Sequence, residues 1–259
     1  MNKIVVITGA SSGLGLCLYN MYKEKGDTPI CIAKDEAENI DNFYLANVND
    51  EERIIEVFNQ IKEKYGHIDI LINNAGFGIS GSIELEKSSL VKNLMDVNFM
   101  GAFYCYKYAL PLMSSGAKII NMSSICALIP IPYRGFYCCS KSALHSMSLA
   151  TYMELKRSKI SVVSVCPGQF KSNFEKNRIK SYETSDRYKN SVANTAKALE
   201  NDNKRMPVEK VAKIIIRQTY KKNPKPIKVI GFQYKVFYFF SRILPTRMFL
   251  YFVNKFLGK

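Results

Sequence analysis

Three side chains near the middle of this 259-residue chain have the chemistry to move a proton to or from a carbonyl or alcohol oxygen. Tyr137 and Lys141 are four positions apart, so both point to one side if their segment is helical. An adjacent ammonium group favours the phenolate and lowers the pKa of the tyrosine. Ser124, thirteen residues before Tyr137, offers a hydroxyl to the same oxygen. The three residues are therefore predicted to form an acid–base site.

The N-terminus is typical of a unit that binds a nucleotide phosphate. Residues 3–8 are a short β-branched run that predicts a buried strand, and a helical stretch follows at 13–25. Between them Gly9, Gly13 and Gly15 predict a tight turn, in which the backbone approaches a pyrophosphate at the helix N-terminus. The spacing is Gly-x-x-x-Gly-x-Gly rather than the better-known Gly-x-Gly-x-x-Gly.

These features, with others between them, resemble the motifs of the classical short-chain dehydrogenase/reductase family. The matching segments are Thr8-Gly-Ala-Ser-Ser-Gly-Leu-Gly15, Asn73-Asn-Ala-Gly76, Asn98, Ser124, Tyr137-x-x-x-Lys141 and Pro167-Gly168. The resemblance covers residues 1–175 closely and 175–259 loosely. It implies a Rossmann-type α/β fold, with a doubly wound parallel sheet and helices on both faces. It also implies an oxidoreductase that moves a hydride between a nicotinamide dinucleotide and a carbonyl or alcohol carbon.

The resemblance assigns a role to each candidate catalytic residue. Tyr137 would donate the proton to the nascent alkoxide during reduction, and Ser124 would bind the substrate oxygen. Lys141 would lower the pKa of the tyrosine and bind the nicotinamide ribose. Asn98, in the middle of a long helix, would hold a water that links Lys141 to solvent. Ser123 is the alternative to Ser124, although the spacing to Tyr137 favours Ser124.

The same resemblance implies which residues contact the cofactor. Lys34, at the end of the second strand, takes the position that chooses the dinucleotide, and its charge favours the 2′-phosphate of NADP(H). Asp35 beside it leaves NAD(H) open, as does Ser12, which stands where many NADP(H)-binding members carry a basic residue. Asn47 replaces the usual aspartate near the adenine and can accept the same hydrogen bond. The expected cofactor contacts are Gly9, Ser11, Ser12, Gly13, Leu14, Gly15, Lys34, Asn47, Val48, Asn74, Ala75, Gly76, Tyr137, Lys141, Pro167, Gly168, Phe170 and Ser172.

Apolar runs alternate with helical patterns along the chain, which independently predicts a parallel sheet covered by helices. Strands are predicted near 3–8, 28–33, 43–46, 68–73, 117–122, 160–166 and 226–230, and helices near 13–25, 51–65, 88–114, 138–157 and 207–222. The link of nine residues at 34–42 is too short for a full helix. We expect one catalytic domain over residues 1–231, with a substrate lid at about 169–206, and an extension over 232–259.

The composition favours a cytoplasmic protein without a metal site. Seven cysteines with no Cys-x-x-Cys pair are typical of buried reduced thiols. His67 and His145 are far apart and show no metal-ligand spacing, so both are expected to be structural. The apolar start is one strand long and runs into the glycine turn, unlike a signal peptide.

The positive charge of the chain lies in its last third. Residues 1–170 carry 16 basic and 16 acidic residues, whereas residues 171–259 carry 21 and 6. The predicted lid is therefore basic, while Phe170 and Phe174 offer apolar contacts nearer the nicotinamide. Basic and aromatic residues together can indicate a nucleic-acid partner, but the site chemistry gives no reason for one.

Residues 232–257 form an aromatic, basic stretch that Pro245 interrupts. It contains no apolar run of the roughly 18 residues that a membrane-spanning helix needs. A broken pair of amphipathic helices suits peripheral contact with a membrane or the entrance for a lipophilic substrate, and it also suits packing against the core or a sister subunit. The stretch is similar to the subgroup of 17β-hydroxysteroid and retinol dehydrogenases, which implies a steroid, retinoid or long-chain substrate.

Three functions remain open at this stage. The first is an NADP(H)-dependent reductase of lipophilic carbonyls. The second is a reductase of 3-oxoacyl thioesters, in which basic residues would dock an acyl carrier protein or coenzyme A. The third is a non-catalytic NADP sensor, which would not need the proton donor. The resemblance also implies a homodimer or homotetramer that assembles through the helices at 88–114 and 138–157.

Overall fold

The computed structural model describes residues 2–172, 174–175, 177–181, 185–188, 193, 195 and 205–257. Its centre is a parallel sheet of seven strands in the order β3-β2-β1-β4-β6-β7-β9. A separate parallel pair joins β5 to β8. The strands are β1 (Ile4–Thr8), β2 (Thr28–Ala33), β3 (Phe43–Leu45), β4 (Ile70–Asn73), β5 (Ile79–Ser80), β6 (Lys118–Met122), β7 (Ser161–Pro167), β8 (Ile179–Lys180) and β9 (Ile227–Ile230).

Helices cover both faces of the large sheet, because its strands carry apolar residues on both sides. Val6 of β1 packs with one layer, and its neighbours Val5 and Ile7 pack with the other, as alternation along a strand requires. The helices are α1 (Gly13–Glu24), α2 (Glu51–Tyr65), α3 (Ser88–Met95), α4 (Gly101–Ala109), α5 (Gly135–Glu154), α6 (Val208–Thr219), α7 (Phe232–Ile243) and α8 (Thr246–Leu257). Residues of α1 and α6 contribute to one core layer, and residues of α2 and α4 contribute to the other.

The predicted doubly wound fold is confirmed, and all seven predicted strands are present with ends shifted by at most two residues. The short strands β5 and β8 were not predicted, since two residues carry no readable alternation. The link at 34–42 contains no helix, as its length predicts.

The predicted long helix at 88–114 is wrong as a single element. A π-helical turn at Asp96–Met100 separates α3 from α4, and a 3-10 turn at Leu110–Leu112, with Pro111 inside it, replaces the last helical turn. Asn98 therefore lies in the π-helical turn rather than in a regular helix.

The last 26 described residues form a helical hairpin, α7 and α8, with Leu244 and Pro245 between the helices. This confirms the predicted pair of broken helices. Phe249 and Val253 of α8 are buried against a cluster that includes Tyr137, so the hairpin packs directly on the body of the protein. Within the described residues, no helix is both long and apolar enough to cross a bilayer.

Candidate functional site

The carboxyl ends of four neighbouring strands meet at one cleft. The loops after β1, β4, β6 and β7 present Gly9, Asn74, Ser124 and Gly168, and strand order places these loops side by side. The cleft has a volume of about 740 Å³. It lies where ligands bind in open α/β sheets, beyond the carboxyl ends of the strands.

The glycine turn brings its backbone close to neighbouring segments. Gly9 has a φ of +65°, and a Cβ there would lie 2.9 Å from the Cα of Ala75. Gly13, with a φ of +56°, faces open space. Helix α1 begins at Gly13 without a side-chain cap, so its first N–H groups are available to an anion. This turn fits the phosphates of a dinucleotide.

Gly15 lies behind the turn and does not line the cleft. A Cβ on Gly15 would lie 2.2 Å from the carbonyl oxygen of Gly9 and 2.8 Å from the Cα of Ala10. It allows close packing of α1 against the turn, and its expected contact with the cofactor stays a prediction.

Asn74 joins the turn after β1 to the loop after β4. Its Nδ2 donates to the carbonyls of Thr8 at 2.9 Å and Gly9 at 3.1 Å. The hydroxyl of Thr8 accepts from the backbone N–H groups of Asn74 and Ala75, each at 3.0 Å. These bonds fix the shape of the floor of the cleft.

Helix α5 carries Tyr137 and Lys141 into the cleft on one face, as the spacing predicts. Both residues are buried, and the Nζ of Lys141 lies 6.0 Å from the centroid of the tyrosine ring. Lys141 donates to the carbonyl of Met122 at 2.9 Å. Its position is thereby set by the end of β6 as well as by α5.

The structure separates the two adjacent serines. Ser124 accepts from the N–H of Cys126 at 3.1 Å, and its hydroxyl is near enough to Tyr137 to act against the raised pKa of the phenol. Ser123 instead donates to the carbonyl of Lys141 at 2.9 Å. The geometry favours Ser124 as the hydroxyl that acts beside Tyr137.

The expectation of a lowered pKa at Tyr137 is wrong. Burial is the largest influence and raises the pKa of Tyr137 above its ordinary value. Arg178 and Ser124 act in the opposite direction without cancelling the effect of burial. Burial also lowers the pKa of Lys141 to about 8. Both groups are taken out of water together, which the spacing alone does not reveal.

A buried charge cluster beside Tyr137 was not predicted. The carboxylate of Glu175 accepts from Arg178 at 2.9 and 3.2 Å and from Arg134 at 3.0 Å. Arg178 also donates to the carbonyl of Ile79 at 3.1 Å, and its guanidinium carbon lies 4.7 Å from the centroid of the Tyr137 ring. Two cations and one carboxylate leave this wall of the cleft with net positive charge. In the sequence Arg178 was only one of several basic lid residues, and nothing there places it over the tyrosine.

Asn98 is a buried clamp between the cleft wall and α5. Its Oδ1 accepts from the N–H of Phe77, and its Nδ2 donates to the carbonyl of Phe77 and to the hydroxyl of Ser140, all at 3.0 Å. Ser140 in turn donates to the carbonyl of Tyr137 at 2.9 Å. Asn98 does not line the cleft, and its proposed link to a water stays a prediction.

Lys34 and Asp35 lie at the end of the cleft that would hold adenosine, beside Asn47 and Val48. The Nζ of Lys34 is 3.8 Å from the carboxylate of Asp35, and the two side chains are 68% and 72% exposed. The ammonium is therefore accessible to a ligand. The expected cofactor contacts at the end of β7 and after it also line the cleft, namely Pro167, Gly168, Phe170 and Ser172.

The opposite end of the cleft is mostly apolar and aromatic. The side chains beyond Tyr137 and Ser124 include Ile125, Ile129, Ile131, Phe174, Phe237, Val253 and Phe256. Phe174 packs on the ring of Tyr137 with a centroid distance of 5.8 Å. Of the lid expected at about 169–206, residues 173, 176, 182–184, 189–192, 194 and 196–204 lie outside the described residues.

The two histidines have partners outside the cleft. Nδ1 of His145 is 2.8 Å from the hydroxyl of Ser164, and His67 lies 3.3 Å from the carboxylate of Asp69. All seven cysteines are free, and five of them are buried. In the part of the chain that the structure describes, no group of three His, Cys, Asp or Glu side chains could hold a metal ion.

Comparison with known proteins gives concordant matches. Residues 3–183 match the family described as short chain dehydrogenase. A 3-ketodihydrosphingosine reductase of Bacteroides thetaiotaomicron is 34% identical over 257 residues, which cover 96% of each chain. A probable short-chain type dehydrogenase/reductase of Helicobacter pylori is 33% identical and covers 94% of this chain and 93% of its own. The crystal structure of a short-chain dehydrogenase from Streptomyces avermitilis has a TM-score of 0.86 at 26% identity, covering 98% and 97% of the two chains.

Proposed function

Since the chain belongs to the short-chain dehydrogenase family, and is thus an oxidoreductase of alcohol or carbonyl groups, we propose that it reduces lipophilic carbonyl compounds with NADP(H). The observation that carries the proposal is the apolar and aromatic wall of the cleft beyond Tyr137. A long alkyl chain or a fused ring system fits such a wall, because its burial there removes apolar surface from water. The division into a catalytic domain over 1–231 and an extension over 232–259 is part of the proposal.

The named substrate of one relative supports the lipophilic class. The Bacteroides protein is a 3-ketodihydrosphingosine reductase, and that ketone carries a long alkyl chain. We propose a long-chain, steroid-like or retinoid-like ketone, aldehyde or alcohol for this chain. We also propose that the chain is related to the 17β-hydroxysteroid and retinol dehydrogenases. The support for this is the aromatic C-terminal stretch at residues 232–257.

The residues around the reacting oxygen are proposed to act as follows. The bound dinucleotide supplies the hydride or accepts it. Tyr137, whose raised pKa keeps its proton at neutral pH, gives that proton to the substrate oxygen during reduction. Ser124 hydrogen-bonds the same oxygen and holds it beside the phenol. Arg178, stacked over the tyrosine ring, and the Lys141 ammonium then stabilise the phenolate that remains.

The cofactor contacts expected from the motif support a dinucleotide along the cleft. Every expected contact except Gly15 lines it. Gly76 is needed there because a Cβ would lie 2.8 Å from the Oδ1 of Asn98 and 3.2 Å from the Nζ of Lys141. Lys141 is thus close to the segment that would hold the nicotinamide ribose.

Solved members of the family bind NAD or NADP, and we propose NADP(H) here on the charge of Lys34. Lys34→Asp should lower the ratio of NADPH to NADH affinity by about tenfold, a modest figure because solvent screens an exposed pair. Lys62→Asp, the same charge change on an exposed face of α2, should leave the ratio unchanged. An unchanged ratio in Lys34→Asp would contradict the assignment. The measurement is fluorescence titration of both dinucleotides.

Members of the family bind small molecules and generally assemble into oligomers. We propose a homodimer or homotetramer that pairs through α3–α4 and α5. Phe103 is exposed on α4, and Tyr104, Met147 and Tyr152 are half-buried, while Tyr106 belongs to the core.

We further propose a cytoplasmic protein in peripheral contact with a membrane, for which the exposed aromatic residues of 232–257 are the support.

The substrate class is tested by NADPH oxidation with three carbonyls in parallel. A steroid ketone and a long-chain 3-ketone, both in detergent micelles, should be turned over. An acetoacetyl thioester should react poorly, because its short acyl group buries little of the apolar wall. Turnover of the thioester alone would replace the proposal with the acyl-reductase function. Binding of NADPH without turnover of any carbonyl would instead favour the sensor.

A further inference from the structure

The C-terminal hairpin, defined as α7 and α8 with the two residues between them, has an inner and an outer side of different character. On the inner side Tyr234 and Tyr238 of α7 and Phe249 and Val253 of α8 pack in the cluster that contains Tyr137. The phenol of Tyr234 accepts from the N–H of Gln169 at 3.1 Å, and its ring occupies the space where Gly168 lacks a Cβ. The hairpin is therefore held against the cofactor end of β7 in a defined position.

The outer side of the hairpin is unusually apolar for a surface in contact with water. Eleven large apolar side chains between 38% and 83% exposed lie on its two helices: Phe232, Val236, Phe237, Phe239, Phe240, Ile243, Met248, Leu250, Tyr251, Phe252 and Phe256. At about 200 Å² for a whole aromatic side chain, they present on the order of 1,000 Å² to solvent. The largest apolar patch of a typical monomer is roughly 300–600 Å², so this surface indicates an occupant.

Charge identifies the kind of occupant. Residues 232–257 contain Lys235, Arg242, Arg247 and Lys255 and no Asp or Glu. All four basic residues are exposed. A second copy of this chain would bring the same four cations to face these four in a symmetric contact, which is unfavourable. Lipid phosphates provide the opposite charge, and long basic side chains extend to them while their neighbours enter the acyl region.

The hairpin is also a wall of the cleft. Tyr234, Phe237, Val253 and Phe256 line it together with Tyr137. Phe237 and Phe256 are at the same time 38% and 63% exposed. These two side chains therefore belong both to the apolar surface and to the apolar end of the cleft, so the cleft opens beside that surface.

We propose that the C-terminal hairpin docks its outer side into the interface of an anionic phospholipid bilayer, and that substrate enters the cleft from the bilayer past Phe237 and Phe256. The helices lie in the plane of the membrane, in keeping with their length of 12 residues each and with the exposed apolar side chains of the outer side. Only the entry of substrate from the bilayer rests on the proposed function, because it requires a lipophilic substrate. Docking itself does not depend on what the enzyme reduces.

Docking is tested by sedimentation of the full-length protein with vesicles. The protein should bind vesicles of phosphatidylcholine with about 30% phosphatidylglycerol, and raising NaCl to about 0.5 M should weaken binding by shortening the range of the charges. The double variant Phe239→Ser/Tyr251→Ser changes two side chains that are 60% and 62% exposed and do not line the cleft. It should bind at least about tenfold more weakly.

The matched control is Leu45→Ser/Ile83→Ser, which removes two apolar side chains that are 46% and 72% exposed elsewhere. It should bind vesicles as the unaltered protein does. Failure of the unaltered protein to bind anionic vesicles at low salt would overturn the proposal, and so would equal loss of binding in both double variants. If Phe239→Ser/Tyr251→Ser instead dissociates an oligomer in gel filtration, the surface is an interface between copies and the proposal is wrong.

Entry from the bilayer has a separate readout. In detergent micelles, Phe239→Ser/Tyr251→Ser should reduce a long-chain ketone at the rate of the unaltered protein. When the same ketone is embedded in vesicles, the variant should reduce it at least about tenfold more slowly than the unaltered protein does. Equal rates in vesicles for the variant and the unaltered protein would refute entry from the bilayer. Vesicle binding without any turnover would leave docking intact and reject the proposed reductase, so the two failures are distinguishable.

Discussion

The hydrogen bonds of the Asn98 side chain should contribute strongly to the stability of the folded protein. Asn98→Ala removes three hydrogen bonds, two to the partly buried N–H and carbonyl of Phe77 and one to the buried hydroxyl of Ser140. Each lost bond costs roughly 1–3 kcal/mol, toward the lower end where the partner is partly buried, so the loss is on the order of 4 kcal/mol. The whole free energy of unfolding of a protein is about 5–15 kcal/mol, so this is a large fraction of it.

The expected result is a fall in Tm of about 10 °C, since 1 kcal/mol corresponds to roughly 2–4 °C in a protein of this size. Far-UV circular dichroism during heating measures this fall, because its signal reports secondary structure. Asn93→Ala is the matched control, because Asn93 is exposed on α3 and makes only a 3.5 Å contact with Asn49. The control should shift Tm by at most about 2 °C. Equal shifts in the two variants would refute the clamp.

Two further predictions concern the phosphate turn and the pH dependence. Gly15→Ala should lower Tm and weaken NADPH binding at least about tenfold, because its Cβ would lie 2.2 Å from the backbone oxygen of Gly9. In Gly13→Ala the new Cβ would face open space, and the backbone strain costs about 1–2 kcal/mol. Gly13→Ala should therefore lower Tm less than Gly15→Ala does. A larger shift for Gly13→Ala would contradict the packing account. Because burial holds the pKa of Lys141 at about 8, its ammonium is present below that pH and is lost above it. For carbonyl reduction, kcat/KM should therefore be flat at neutral pH and fall above about pH 8, and a profile that rises there would be inconsistent with an ammonium in the working state.

The sheet could be predicted from the sequence because its strands are buried on both sides and therefore appear as apolar runs. The placement of Tyr137 and Lys141 followed from helical periodicity alone. The π-helical turn around Asn98 has no composition signal, and the bonds of Asn98 to Phe77 and Ser140 join segments that are distant in sequence.

Other features depended on contacts between distant segments. Arg178 reaches Tyr137 only because β8 pairs with β5, two strands that are too short to recognise. The raised pKa of Tyr137 likewise depends on how completely the surrounding loops exclude water, which no spacing encodes. The close approach of Gly15 to the backbone of Gly9 and Ala10 likewise appears only in the folded turn, and its expected contact with the cofactor stays a prediction.

The most direct test of the account compares NADPH oxidation by the unaltered protein and by Tyr137→Phe, with a long-chain ketone in detergent micelles. Removal of the phenolic hydroxyl removes the proton donor but keeps the ring that packs on Phe174 and Arg178. The account predicts that kcat falls by about 10²–10⁴-fold, while NADPH binds with unchanged affinity. Turnover by Tyr137→Phe at the rate of the unaltered protein would contradict it.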